Sequence, residues 1–246
     1  MNTKKETFNS NSDLRAPFLF LGLSIIIAAL VFGFFFYQSR STRDYVQVLG
    51  AATEPFESDI VKWNITFEEN TDLVNMRDGY SNIQEKRDSL LNILNEKGII
   101  EEDININPIT TQKRWDRNGE VVGYSLNQSL FIISDNVEEI EDLALNPDEL
   151  LDKNIFFQVS SLEYFYSEID NLKKDLLALA TKNARERAEK ILQESGHQPG
   201  KMIWSQAGVF QIIEPYSTEV QSYGMYNTSS RKKEIKVTVH AQFLVQ

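Results

Sequence analysis

A chain with two histidines and no cysteine has few routes to metal or nucleophilic chemistry. His197 stands in Ser195-Gly196-His197, and His240 lies in an alternating apolar and polar run near the C-terminus. A zinc site needs three or four converging ligands, and without Cys these would have to be His and carboxylates at helical or hairpin spacing. No second His stands near either one, so both read as solvated or helix-terminal residues. A Ser-His-acid triad finds no Gly-x-Ser-x-Gly turn, and Ser195 and His197 are too close in sequence for its geometry. The acidic runs Glu101-Glu102-Asp103 and Glu138-Glu139-Ile140-Glu141-Asp142 lack the alternating oxygen donors, turn glycine and closing Glu of a calcium loop. Arg185 and Arg187 would suit an anion, but Glu186 and Glu189 beside them favour a surface laced with weak ion pairs. No glycine-rich phosphate loop follows any expected strand. The expectation is no catalytic residue, no metal, no cofactor and no enzymatic activity.

One segment has residue types suited to recognition. Tyr216 to Lys232, YSTEVQSYGMYNTSSRK, has no periodicity and includes Tyr216, Tyr223, Met225 and Tyr226. Loops of such length are commonly functional or disordered, and Tyr and Met are enriched in interface cores. A contact with a partner or a second copy and a plain mobile loop both fit.

These positions need a scaffold, and periodicity supplies it. Tyr45–Ala52 and Phe56–Phe67 read as strands parted by Thr53-Glu54-Pro55, the second alternating through Val61, Trp63, Ile65 and Phe67. Residues Asp72 to Lys97 repeat apolar side chains at three- and four-residue steps and stop at Gly98, a long amphipathic helix. Ile104–Trp115 and Glu120–Ile133 flank Asn118-Gly119, the signature of a type I′ hairpin. Val137–Leu145 reads as a short helix ended by Asn146-Pro147, Asn154–Tyr166 as a strand, and Ser167–Ser195 as a second long helix before Gly196. Lys201–Ile213 and Lys233–Val245 complete the set as strands. The order predicts an α+β fold: antiparallel sheet with two long helices packed on one face, built as a duplicated β-α-β-β unit, in one domain or two lobes.

Ahead of that fold, Pro17 to Tyr37 is 21 residues without a charge. As a helix it rises roughly 31 Å, enough for a hydrocarbon core of about 30 Å. Secretory signals have shorter apolar regions ending in small residues, whereas this run leaves through Phe34, Phe35, Phe36 and Tyr37, which favours a retained anchor over a cleaved signal. The layout expected is a disordered cytoplasmic tail over 1–16, a transmembrane helix over 17–37, a linker over 38–44 and an exported domain over 45–246. The five basic and two acidic residues up to Arg43 leave 20 basic and 34 acidic ones in residues 44–246, a net charge of −14. Such a charge opposes nucleic acid.

Val48-Leu49-Gly50, Ser58-Asp59 and the strand ending at Phe67 resemble the opening of the SIMPL-domain family, exported bacterial proteins of the oxidative-stress-defence and outer-membrane-antigen types. The stronger likeness is Ala180-Thr181-Lys182-Asn183-Ala184-Arg185-Glu186-Arg187-Ala188-Glu189, followed by Gly196 and Gly200. Gln206 to Gln211 is similar to the strand that follows in the family. The resemblance covers about residues 45 to 246, and the preceding span is similar to that of the membrane-anchored branch. Ala52 stands where the family often has a second Gly, and Ser58 where it has Pro before Asp. The resemblance gives Gly50, Asp59, Ala184, Arg185, Ala188, Gly196 and Gly200 as family-motif structural positions. It implies a single-pass protein of the bacterial cytoplasmic membrane with a periplasmic C-terminal domain of no established catalysis. Such a domain would act in the cell envelope, with envelope or oxidative stress tolerance as the role implied, by homo-oligomer formation or by binding an envelope protein. A ligand-binding module with a small molecule, peptide or glycan held between the two halves is the alternative, and a hydrolase built from scattered carboxylates a third. Direct thiol chemistry is closed to a chain without Cys.

Overall fold

The computed structural model describes residues 15–40, 44–219 and 221–246. The expected tail is outside the described residues up to position 14, as is the linker at 41–43. Helix α1 (Arg15–Arg40) is longer at both ends than the 17–37 expected. Within it Phe18–Ser39 is long and apolar enough to cross a membrane, and among the described residues no other part of the protein covers it.

Strand β1 (Tyr45–Glu57) runs without a break through Pro55, where the sequence suggested a turn; the turn falls at Ser58-Asp59, before β2 (Ile60–Thr71). Its position in the sheet gives the reason. Among the described residues β1 pairs only with the last strand, β10 (Lys232–Val245), from Tyr45 opposite Leu244 to Glu57 opposite Lys232. Its free edge presents the Ala51 N–H and the Leu49 carbonyl, so odd-numbered residues point away from β10. Pro55 is one of them, and an outward edge position needs no N–H. Two side chains one turn apart on the helix α5 (Ile169–Gln193) occupy that edge: Asn183 Oδ1 accepts from Ala51 N at 3.1 Å, and Arg187 Nη1 donates to Leu49 O at 2.8 Å.

Two five-stranded sheets follow from this arrangement. The first holds β1, β10, β7 (Pro199–Ala207), β8 (Gln211–Ile213) and β9 (Met225–Tyr226), with α5 across β1 and β10. The second holds β2, β3 (Ile104–Ile106), β4 (Thr110–Trp115), β5 (Val121–Ser134) and β6 (Val159–Phe165), covered by α2 (Met76–Glu96) and α3 (Val137–Leu145). A short helix, α4 (Asp148–Asp152), follows Asn146-Pro147. Pairing is antiparallel except between β8 and β9.

The two halves share one plan, but their strands are apportioned differently from the sequence expectation. The strand before α5, β6, pairs with β2 in the second sheet. The first strand of the other unit is β1, so the units are β2-α2-β4-β5 and β1-α5-β7-β10, each with its last strand in the middle. Chain order cannot reveal this, because one unit is inserted inside the other.

Each sheet buries one face. Val61, Trp63, Ile65 and Phe67 of β2 pack with Leu90, Leu94, Leu130, Ile132 and Ile140 in the larger core. In the other half Leu176 and Ala180 of α5 meet Ile235, Val237 and Val239, and Ala184 and Ala188 meet Val48, Ala241 and Phe243. The alanines permit a close approach, closest at Gly50. A Cβ there would lie 2.2 Å from the Ala180 carbonyl oxygen and 2.5 Å from the Ala184 nitrogen. Gly98 and Gly196 end their helices with φ of +83° and +74°, the left-handed conformation of a C-terminal cap.

At the Asn118-Gly119 turn only Gly119 has positive φ. Asp116 N donates to Glu120 O, Gly119 N to Asp116 O, and the Asp116 carboxylate takes the Asn118 and Glu120 amides. This is a three-residue loop closed by a left-handed glycine in place of the expected type I′ turn. The aspartate selects it by capping two amides that a two-residue turn would leave elsewhere.

Candidate functional site

Past β8 the chain leaves the sheet at Glu214 and returns at Gly224. The ends of this excursion are close because β8 and β9 pair, Gln211 beside Met225 and Ile212 beside Tyr226. The segment is thus a compact loop tied at its base. Gln211, buried beneath it, grips the crown with both ends of its amide: Nε2 donates to Gln221 O at 2.6 Å and Oε1 accepts from Gln221 N at 3.3 Å. Lys236 Nζ reaches Ser217 O at 3.4 Å, and Glu214 accepts from Asn227 and Ser229.

Between this loop and the face of the first sheet opposite α5 lies a cleft of about 710 Å³. Ala51 of β1, Ala207 of β7, Val209, Ile213 and Thr238 of β10 form its floor and sides, and Ser217, Thr218, Glu219, Gln221 and Ser222 its roof. The volume falls within the roughly 300–1,000 Å³ of small-ligand and peptide sites. The floor is open because small residues stand where larger ones would fill it. A polar hollow of about 390 Å³ at the junction of the halves, near Asp59 and Arg231, is smaller.

The four loop residues singled out in the sequence separate into two pairs. Tyr216 and Tyr223 are 94% and 81% exposed and flank the roof of the cleft. Tyr216 also has φ of +63°, a strained setting for a residue with a Cβ and of the kind that collects at functional sites. Met225 and Tyr226 belong to β9. The Tyr226 ring lies 6.2 Å from that of Phe165 and beneath the Lys233 ammonium, and burial raises its hydroxyl pKa.

A second polar cluster sits where the two halves meet. Lys233 is 1% exposed and donates to the Tyr164 carbonyl of the opposite sheet. Burial pushes its ammonium down to about 8. Arg231 pairs with Glu57 at 2.8 Å and with Glu141 of α3 at 3.0 Å, while Ser58 N donates to Arg231 O. Burial and the Glu141 carboxylate raise the Tyr164 hydroxyl pKa.

The remaining motif residues have structural surroundings. Asp59 accepts from Ser167 N at 2.8 Å and holds the approach to α5 against the start of β2. Arg185 reaches Glu189 and the Pro199 carbonyl, each at 3.3 Å, tying α5 to β7. At Gly200 an added Cβ would meet the Gln246 side chain at 2.8 Å. His197 lies at the end of α5 and His240 on the open face of β10, and among the described residues no group of three or more His, Asp or Glu is gathered for a metal.

Sequence reasoning gave Gln211 no role beyond the family-like segment Gln206 to Gln211 and missed the cleft floor, because Lys201–Ile213 read as one strand where the structure has two, β7 and β8, parted at residues 208–210. Lys233 left a legible signal: it is in phase with Ile235 and Val237, which point inward.

The family model described as SIMPL, protein of unknown function (DUF541), matches residues 46–243, from the second residue of β1 almost to the end of β10. No match to a curated protein is found.

Proposed function

The chain belongs to the SIMPL family, and from that premise we propose that it is a single-span protein of the bacterial cytoplasmic membrane whose periplasmic domain works by non-covalent binding, without catalysis. The cleft beneath the 214–224 loop receives a segment of protein, from an envelope partner or from a second copy of the chain. One observation carries this: a volume of about 710 Å³ is held open under a roof pinned by Gln211 and Lys236 and flanked by two exposed tyrosines. Gln211 and Lys236 are thereby engaged with loop backbone. A net charge of −14 on residues 44–246 keeps the partner from being nucleic acid.

A small-molecule ligand is the second reading, favoured by the apolar floor of the same cleft. Photo-crosslinking separates the two. With benzoylphenylalanine at Tyr216 or Tyr223 of the full-length protein in its membrane, ultraviolet light should give a heavier protein adduct. The same group at Lys113, exposed on β4 of the other sheet, should give none. No adduct at either tyrosine would overturn protein binding at the cleft.

A further inference from the structure

The tether fixes which end of the domain faces the bilayer, and this step rests on reading α1 as a span. Arg40 stands three residues, about 4.5 Å of helix, beyond Tyr37, where the apolar run stops. From Arg40 to Asp44 are four residue steps, at most about 14 Å of extended chain. The headgroup zone accounts for about 5–8 Å of that reach. A domain of this size has a radius of gyration of about 17 Å, larger than the tether, so the end that begins at Asp44 must turn toward the membrane.

Three strand ends meet there. Val245 N donates to Asp44 O at 3.0 Å, Tyr45 is opposite Leu244, and Gln198 and Gln246 exchange two backbone hydrogen bonds of 2.9 Å as β7 begins. One face of this end lies under α5, and the other is bare. Its rows are Tyr45 and Leu244, then Gln47, Gln242 and Trp204, then Leu49, His240 and Gln206. Tyr45, Trp204 and Leu49 are 52%, 42% and 40% exposed. No carboxylate stands in these rows, although residues 44–246 hold 34.

We propose that this bare end of the first sheet, with Tyr45, Leu49 and Trp204 as its apolar contacts, rests in the headgroup region of the bilayer that α1 crosses. Tyr and Trp favour that zone because an apolar ring enters the acyl boundary while a polar atom stays wet. The Gln and His side chains between them hydrogen-bond to headgroups, and with Asp44 in phase with Val46 and Val48 of the opposite face these rows hold no carboxylate to be repelled by an anionic leaflet. The cleft begins on the same face at Gln206 of the third row and continues at Ala51 and Thr238 of the next. Its occupant is therefore recruited close to the membrane surface.

The three tryptophans provide the test. Trp63 is buried in the second sheet, and Trp115 is exposed at the far end of β4. Full-length protein is placed in nanodiscs of phosphatidylethanolamine and phosphatidylglycerol, with and without lipid carrying a nitroxide at the headgroup. Fluorescence should be quenched in the wild type and in Trp115→Phe, and Trp204→Phe should lose at least half of that quenching. Equal quenching in the two variants, or none in protein that stays in the nanodisc through alkaline carbonate, would overturn the docked face alone. Extraction by carbonate would overturn the span, and the docked face with it.

Discussion

Replacing Gly50 by alanine should push α5 off the first sheet. The new Cβ would lie 2.2 Å from the Ala180 carbonyl oxygen, 2.5 Å from the Ala184 nitrogen and 2.7 Å from the Ala184 Cβ. Ordinary contact needs roughly 1 Å more, and two of the obstacles are helix backbone that no rotamer change can move. Leu176, Ala180, Ala184 and Ala188 are all buried along this contact, so a shift of that size loosens packing over three turns. Overpacking costs about 1–3 kcal/mol, and the backbone obstacle puts Gly50→Ala at the upper end. For a domain of this length that lowers Tm by about 6–12 °C. The control is Gly98→Ala, which meets nothing within 4 Å but has φ of +83° and should lose only about 1–2 kcal/mol. Thermal unfolding of the full-length protein in mild detergent, followed by circular dichroism, reads both. A Gly50→Ala variant that melts with the wild type, or above Gly98→Ala, would refute the close-approach reasoning.

Lys233 makes stability depend on pH. Its folded pKa of about 8 lies below its ordinary 10.5, so between pH 8 and 10 the unfolded chain binds more protons and stability rises with pH. The buried charge costs roughly 3 kcal/mol below pH 8. Above pH 10 Tyr164 and Tyr226, both raised by burial, reverse the trend as the unfolded tyrosines ionise. Denaturant midpoints across pH 7–10 should climb in the wild type and stay level in Lys233→Met; a level wild-type profile contradicts this. Arg231→Ala leaves Glu57 and Glu141 without their cation and should cost about 1–3 kcal/mol, read as a lower urea midpoint; an unchanged midpoint would remove the cluster from the forces joining the halves. Gln211→Leu frees the Gln221 amide and carbonyl and should speed proteolysis within 214–224 several-fold, whereas equal cleavage rates would mean the clamp does not hold the roof.

Local order was readable along the chain wherever one face is buried and the other wet. The alternation from Ile235 to Val245 and the three- and four-residue steps of α2 and α5 give strand and helices directly, and Gly98 and Gly196 mark their ends. Partnership was not readable. Nothing near Val159–Phe165 says that it joins β2 and not the strands after α5, since that depends on which unit is inserted in which. Pro55 misleads for a related reason: it breaks a strand only if its missing N–H faces a neighbour, and β1 has none on that side. The tyrosines of the loop were visible as residue types. The cleft was not, because it is made by small side chains on strands distant in sequence and by one amide, Gln211, whose role depends on burial.

The central claim, that this SIMPL protein works by holding a protein segment, is tested most directly by the native mass of the full-length chain released from its membrane in mild detergent. A mass above one 28.3 kDa chain, as a multiple of it or with an added partner, that falls to one chain when Tyr216 and Tyr223 are both changed to serine is the result expected. A single chain in the wild type, or a larger mass untouched by the double change, would contradict it.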